Sequence, residues 1–180
     1  MSRKALIKHL RSDALFMDGP YTLRSGVRSD WYLDARLTTL SSDGAPIVGS
    51  AVLEVLDGEV EAIGGMTMGA DPIAMAVVLV AGQRGRHINA FSVRKTTKQY
   101  GTGGRLVGPV SAGMAVAIVE DTTTTGGAMI EASEAAMAAG LRVVQAISLL
   151  DRSEGRAADA FAVHAIPYQA LLLPKDLGVK

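Results

Sequence analysis

The stretch Val116-Ala-Ile-Val-Glu-Asp-Thr-Thr-Thr-Thr-Gly-Gly127 places an apolar run, two acids, four hydroxyl side chains and two glycines in direct succession. Backbone amides at a helix start, helped by threonine hydroxyls, suit a phosphate, because that end of the helix is positive and its N–H groups are unpaired. Glu120 and Asp121 cannot serve a phosphate. They can accept hydrogen bonds from sugar hydroxyls or organise a magnesium ion. Together the two halves describe a ligand that is both sugar and phosphate. The plainer alternative is a loop whose threonines merely cap a helix.

A second group is Arg94-Lys95-Thr-Thr-Lys98-Gln-Tyr100-Gly101, three cations followed by a tract with glycines at 101, 103, 104 and 108. Lysines as mobile point charges and arginine as a planar fork suit a diphosphate, and the glycines allow a loop to close over substrate. A solvated basic turn is the alternative. Gly64-Gly-Met-Thr-Met-Gly69 offers backbone amides, Tyr21 to Asp34 carries clustered aromatics, and Asp151-Arg152 follows an apolar run. There is no Gly-x-x-x-x-Gly-Lys-[Ser/Thr] loop, and Gly101-Thr-Gly103-Gly-Arg-Leu106 lacks the third glycine of a dinucleotide fingerprint. His9, His87 and His164 show no metal-ligand spacing.

The elements that must position these groups alternate. Residues 3–17 have helical spacing, stopped by Asp18-Gly19-Pro20, and 20–36 read as two short strands around Ser25-Gly26. Ser42 or Asp43 can cap a helix running to about Leu56. Then come a strand over Val60–Ile63, a loop over 64–72, a helix to about Ala81, and a strand over Ile88–Val93. A polar, glycine-rich stretch spans Arg94–Gly113. Strand Ala115–Val119, helix Ala128–Ala139, Gly140 as its cap and strand Arg142–Leu150 follow, with a last strand near 162–166 or 168–172. This is an α/β pattern: a mostly parallel central sheet flanked by helices, with ligands at the C-terminal strand ends. Loops 64–72, 94–98 and 120–127 fall at that edge, with Asp151-Arg152 as a fourth.

The chain of 180 residues, 48% hydrophobic, suffices for one core, and no repeat or linker divides it, so a single domain over 1–180 is expected. Eighteen basic and eighteen acidic side chains cancel, which gives no general reason to expect nucleic acid or an anionic membrane as partner. The absence of cysteine excludes disulfides and thiolate chemistry and fits a reducing compartment. The N-terminus is charged throughout, and the apolar run from Ile73 to Gly82 is about half the length that spans a bilayer. A cytoplasmic protein is expected.

The 116–127 segment resembles the 5-phosphoribosyl 1-diphosphate (PRPP) loop of type I phosphoribosyltransferases. Arg94-Lys95-x-x-Lys98-x-Tyr100-Gly resembles the Arg-Lys-x-x-Lys-x-His-Gly motif of orotate phosphoribosyltransferases, with Tyr100 in place of histidine. Thr22-Leu-Arg24-Ser-Gly and the aromatics Trp31 and Tyr32 resemble that family's base-pocket hairpin, with Arg24 where lysine is frequent. Gly64–Gly69 resembles its second diphosphate loop, with Met68 where many relatives have lysine. Four motifs in the family's order, over about residues 19–152, imply a type I phosphoribosyltransferase fold with a small N-terminal hood of about residues 1–40. They imply transfer of phosphoribosyl from PRPP to orotate, giving orotidine 5′-monophosphate and diphosphate in pyrimidine biosynthesis. A transferase for a purine or other base, or a PRPP-sensing regulator, are the alternatives. The resemblance implies Lys98 as catalytic. It places PRPP on Arg24, Thr67, Arg94, Lys95, Lys98, Tyr100, Glu120, Asp121, Thr122, Thr123, Thr124, Thr125, Gly126, Gly127 and Ala128. It places orotate on Arg24, Tyr32, Thr124 and Arg152. It also implies magnesium held mostly through PRPP, with no protein ligand assigned, and a homodimer whose 94–108 loop reaches the neighbouring site.

Overall fold

The computed structural model describes residues 2–22, 26, 28–98 and 104–179, with residues 97 and 98 described by backbone alone. Helix α1 (Ser2–His9) continues as a π-helical turn over Leu10–Ala14, burying Leu6, Leu10 and Ala14. The expected helix over 3–17 stops there. Leu15 and Phe16 form β1, paired antiparallel with β4 (Tyr32–Leu33), so strand pairing overrides the helical spacing. Between them, β2 (Tyr21–Thr22) pairs with β3 (Arg28–Ser29) across Gly26, whose φ of 81° suits glycine.

Helix α2 (Arg36–Thr39) is too short to leave a periodic signature. It leads to α3 (Gly44–Leu53). The cap of α3 is Ser41, whose hydroxyl accepts from the Gly44 amide at 3.0 Å. Asp43, one of the two expected caps, instead faces His9 Nε2 at 3.4 Å.

The main sheet contains β5 (Ala62–Met66), β6 (Asn89–Lys98), β7 (Gly104–Val107), β8 (Ala115–Thr123), β9 (Arg142–Asp151) and β10 (Tyr168–Leu172). Their order is β10-β9-β8-β5-β6-β7, all parallel except β7, which runs antiparallel to β6. Side chains of β8 alternate between two cores. Ala117 and Val119 join α1, α3 and α4 (Ala70–Gln83), while Val116 and Ile118 join α5 (Gly127–Ala138) and α6 (Arg156–Val163). The sheet is therefore apolar on both faces. Among the described residues no helix is long and apolar enough to cross a membrane.

Four boundaries differ from the sequence pattern, each for a local reason. Gly64 and Gly65 are strand residues rather than loop. A Cβ on Gly64 would lie 2.0 Å from the Phe91 carbonyl oxygen, and one on Gly65 2.3 Å from that of Val119. Both glycines serve close strand packing. The polar stretch from Arg94 holds the end of β6 and all of β7, a ribbon at the sheet edge without the apolar pattern that marks buried strands. Strand β8 runs four residues past Val119, pairing Thr122 with Leu150 and Thr123 with Asp151. Finally, α6 was not legible; a single buried aromatic, Phe161, anchors it, and the last strand is the second of the two alternatives.

Candidate active site

The order reverses between β5 and β8, the place where an open α/β sheet forms a crevice at its C-terminal edge. Glu120 and Asp121 stand at the end of β8, against the start of α4. A Cβ on Gly69 would lie 3.0 Å from both Glu120 Oε1 and Asp121 Oδ1, so a larger residue there would push on both carboxyls. The Thr122 amide donates to Asp121 Oδ1 at 2.7 Å. Burial pushes the Glu120 carboxyl up to about 8, the Asp121 charge and a hydrogen bond between the two carboxyls adding to the rise and the Lys95 charge opposing it. Glu120 Oε2 is enclosed and has no hydrogen-bond partner among the described residues.

Beyond the acids, Thr123 is turned inward, its hydroxyl 3.1 Å from Met129 Sδ. Thr124 and Thr125 are exposed, and Gly126 takes a φ of 84° to start α5. The Thr125 hydroxyl accepts from the Gly127 amide at 3.3 Å. The outward-facing part of the expected phosphate loop is thus 124–128, a turn of backbone amides at the head of a helix.

Across the switch point, Thr67 and Ser92 both donate to Asp71, at 2.6 Å to Oδ2 and 2.6 Å to Oδ1. Asp71 opens α4 and ties the 67–69 turn to β6. The Thr67 hydroxyl is spent inside the protein, so what this turn offers a ligand is backbone. Met68 is exposed.

On the other side, the Arg152 amide donates to the Thr123 carbonyl at 2.8 Å. Its guanidinium carbon sits 3.8 Å from the centre of the Trp31 ring. Burial lowers its pKa, and it forms no ion pair among the described residues. Asp151 Oδ1 accepts from the Ser153 amide at 2.6 Å, and its Oδ2 accepts from the Tyr168 hydroxyl at 3.0 Å. Arg156 Nη2 reaches the Thr124 carbonyl at 3.4 Å and its Nε the Ser153 carbonyl at 2.9 Å, joining the phosphate turn to the turn after β9.

The structure brings Thr67, Lys95, Glu120, Asp121, residues 122–128 and Arg152 to one sheet edge. Arg94 borders a different space, a cavity of about 370 Å³ shared with Leu106, Val110 and Leu141. Tyr32 packs with Phe16 and Tyr21, at centroid distances of 6.5 and 5.8 Å, and Trp31 faces Arg152 in its place. Arg24 and Tyr100 lie outside the described residues, as does the side chain of Lys98. Asp71, Ser92 and Arg156 are not marked by the sequence, and Trp31 is marked only as one of two hairpin aromatics. Alternation along 31–33 sends Trp31 and Leu33 to the buried side.

A crevice at the switch point, an acid pair, and a helix-start turn beside it define the class: the fold is that of the type I phosphoribosyltransferases. No family model matches the chain. It is 40% identical to the orotate phosphoribosyltransferase of Streptomyces avermitilis over 98% of this chain and 97% of that one. The orotate phosphoribosyltransferase of Mycobacterium tuberculosis, solved in complex with Fe(III) dicitrate, superposes with a TM-score of 0.89 at 34% identity, covering 99% of this chain and all of the other. The same enzyme in complex with PRPP gives 0.83 at 32% identity, with equal coverage. The chain belongs to the orotate phosphoribosyltransferase family.

Proposed function

We propose that the protein transfers the 5-phosphoribosyl group from PRPP to orotate, yielding orotidine 5′-monophosphate and diphosphate in pyrimidine biosynthesis. The observation that carries this reading is the meeting at one sheet edge of the acid pair, the α5 turn and the Arg152 guanidinium, which makes no ion pair among the described residues. In this reading the amides of 124–128 hold the 5′-phosphate, and Glu120 and Asp121 accept from the ribose hydroxyls. The 67–69 amides and Lys95 receive the diphosphate, and Arg152 meets the base. The glycosidic displacement passes through an oxocarbenium-like state while negative charge grows on the diphosphate. No general base is required, because the ring nitrogen of orotate can react as the anion. Catalysis then rests on holding the ends in line and neutralising the leaving group.

The donor set suits a magnesium ion that arrives with PRPP. Among the described residues no group of three His, Cys, Asp or Glu could hold a metal by itself, while Glu120 keeps an oxygen without a partner at the crevice. When bound, the ion supplies charge neutralisation at the diphosphate. A homodimer accords with the exposed apolar side chains Met75 and Leu79 on α4 and Leu37 on the adjoining α2. In such a dimer Arg94, Lys98 and Tyr100 on the 94–108 segment serve the neighbouring site. A cytoplasmic location accords with the lack of cysteine.

The test follows orotate absorbance in purified protein, omitting PRPP, magnesium or protein in turn. Loss of the signal only in the complete mixture supports the reading. No turnover with orotate, but turnover with another base from a panel, would replace it by a different phosphoribosyltransferase.

A further inference from the structure

Arg152 is a half-buried cation that makes no ion pair among the described residues, and something else must hold it in place. Its backbone is fixed by the Thr123 carbonyl, one residue beyond the end of β9. Its guanidinium carbon sits over the Trp31 ring, 3.8 Å from the ring centre, and Nη2 makes one long contact of 3.5 Å to the Ser29 hydroxyl. Ser29 in turn donates to the Trp31 carbonyl at 2.7 Å, so the hydroxyl fixes the tryptophan backbone and touches the arginine at once. Trp31 itself is only 5% exposed and is rooted in the core of α1 and β9. The indole is therefore a rigid platform, and its face is the part that meets the cation.

We infer that Trp31 is a positioning residue for Arg152, presenting the guanidinium fork to the base and thereby setting selectivity for an anionic one. This rests on the base site proposed above. A guanidinium has five donors in a fixed plane, and stacking one face on an aromatic ring leaves its edge free to pair with a planar anion. The attraction between a cation and a desolvated ring compensates part of the cost of burying Arg152. An anion arriving at the edge restores the missing charge partner. A neutral base leaves the cation unpaired, which is how the platform converts packing into discrimination. Tyr32, the neighbouring aromatic, cannot replace it, because its ring packs with Phe16 and Tyr21.

The experiment compares wild type, Trp31→Phe and Trp31→Leu in steady-state turnover, with PRPP affinity measured separately by calorimetry. Leucine keeps an apolar filling but removes the π face. Expected is an orotate KM raised about tenfold in Trp31→Leu and less in Trp31→Phe, with kcat and PRPP affinity changed less than about threefold. An unchanged orotate KM in Trp31→Leu overturns the inference, and so does a parallel loss of kcat and PRPP affinity in both variants, which would mark packing alone. Wild type that turns over no orotate would instead bring down the reading of the base site. Trp31 is also the sole tryptophan. Should Trp31→Leu fail to fold, emission from wild type and Arg152→Leu decides: the cation's removal must change it, and orotate must change it only in wild type. Identical emission in the two proteins overturns the inference.

Discussion

The two turns that flank the switch point have the same proposed task, presenting backbone amides to phosphate oxygens, and they are built differently. The turn at 67–69 is braced by side chains: one carboxylate, Asp71, takes hydroxyls from Thr67 and Ser92. The turn at 124–127 rests on a backbone conformation with local side-chain help: the β8–β9 ladder runs up to Thr123, Gly126 adopts a left-handed conformation, Arg156 Nη2 donates to the Thr124 carbonyl, and the Thr125 hydroxyl accepts from the Gly127 amide. The comparison teaches that neither set of hydroxyls can be read as ligand groups merely because they sit near the site. Thr67 and Thr123 both spend theirs inside the protein.

The largest effect should come from the cations rather than from either turn. Lys98→Ala is expected to lower turnover about 10²–10³-fold, as loss of a charge partner in the transition state does. Single-turnover kinetics would measure it, and near-normal turnover would remove Lys98 from the mechanism. Asp71→Ala breaks the side-chain brace, leaving two hydroxyls without their acceptor at a cost of about 1–3 kcal/mol. PRPP affinity should drop along with the melting temperature, whereas Asp71→Asn, which keeps one acceptor oxygen, should lose less of both. Gly126→Ala attacks the backbone brace, since a φ of 84° strains a non-glycine residue by about 1–3 kcal/mol and the new Cβ would lie 3.3 Å from Ala157 Cα. Gly126→Ala should weaken phosphate binding while the Thr67–Asp71 hydrogen bond survives in a crystal structure.

The smallest effect concerns pH. A carboxyl raised from 4.5 to about 8 binds a proton in the folded state that the unfolded chain has already lost, so stability falls as pH rises through that window and levels off above it. Glu120→Gln should flatten the dependence of melting temperature on pH between about 5 and 8 and be the more stable protein at the alkaline end. A profile parallel to that of wild type would show that Glu120 ionises normally.

Sequence made the sheet-edge chemistry legible where it sat in continuous motifs. The acid pair, the Thr-Gly turn and Arg152 lie at the sheet edge, where residue type and position relative to an apolar strand place them. The braces were not legible. Asp71, Ser92 and Thr67 come from a helix start, a strand and a turn, and nothing in their spacing announces that they meet. Trp31 and Tyr32 are both legible as hairpin aromatics, and only the pleat of the strand decides which one turns inward. Likewise Gly64 and Gly65 resemble ligand-loop glycines until the neighbouring strands are seen to press on them.

The sheet order also bears on how the chain is made. Ala62 pairs with Val116 in the middle of the sheet, although α4, β6 and β7 intervene in sequence. During synthesis β5 therefore emerges with one side destined for a partner not yet translated, and its row of unpaired N–H and C=O groups must wait. Closing that long-range parallel pair should limit the folding rate, and it joins the two sides of the crevice in the same step. Chains cut off before residue 115 would keep β5 as an open edge and should self-associate rather than accumulate as soluble halves.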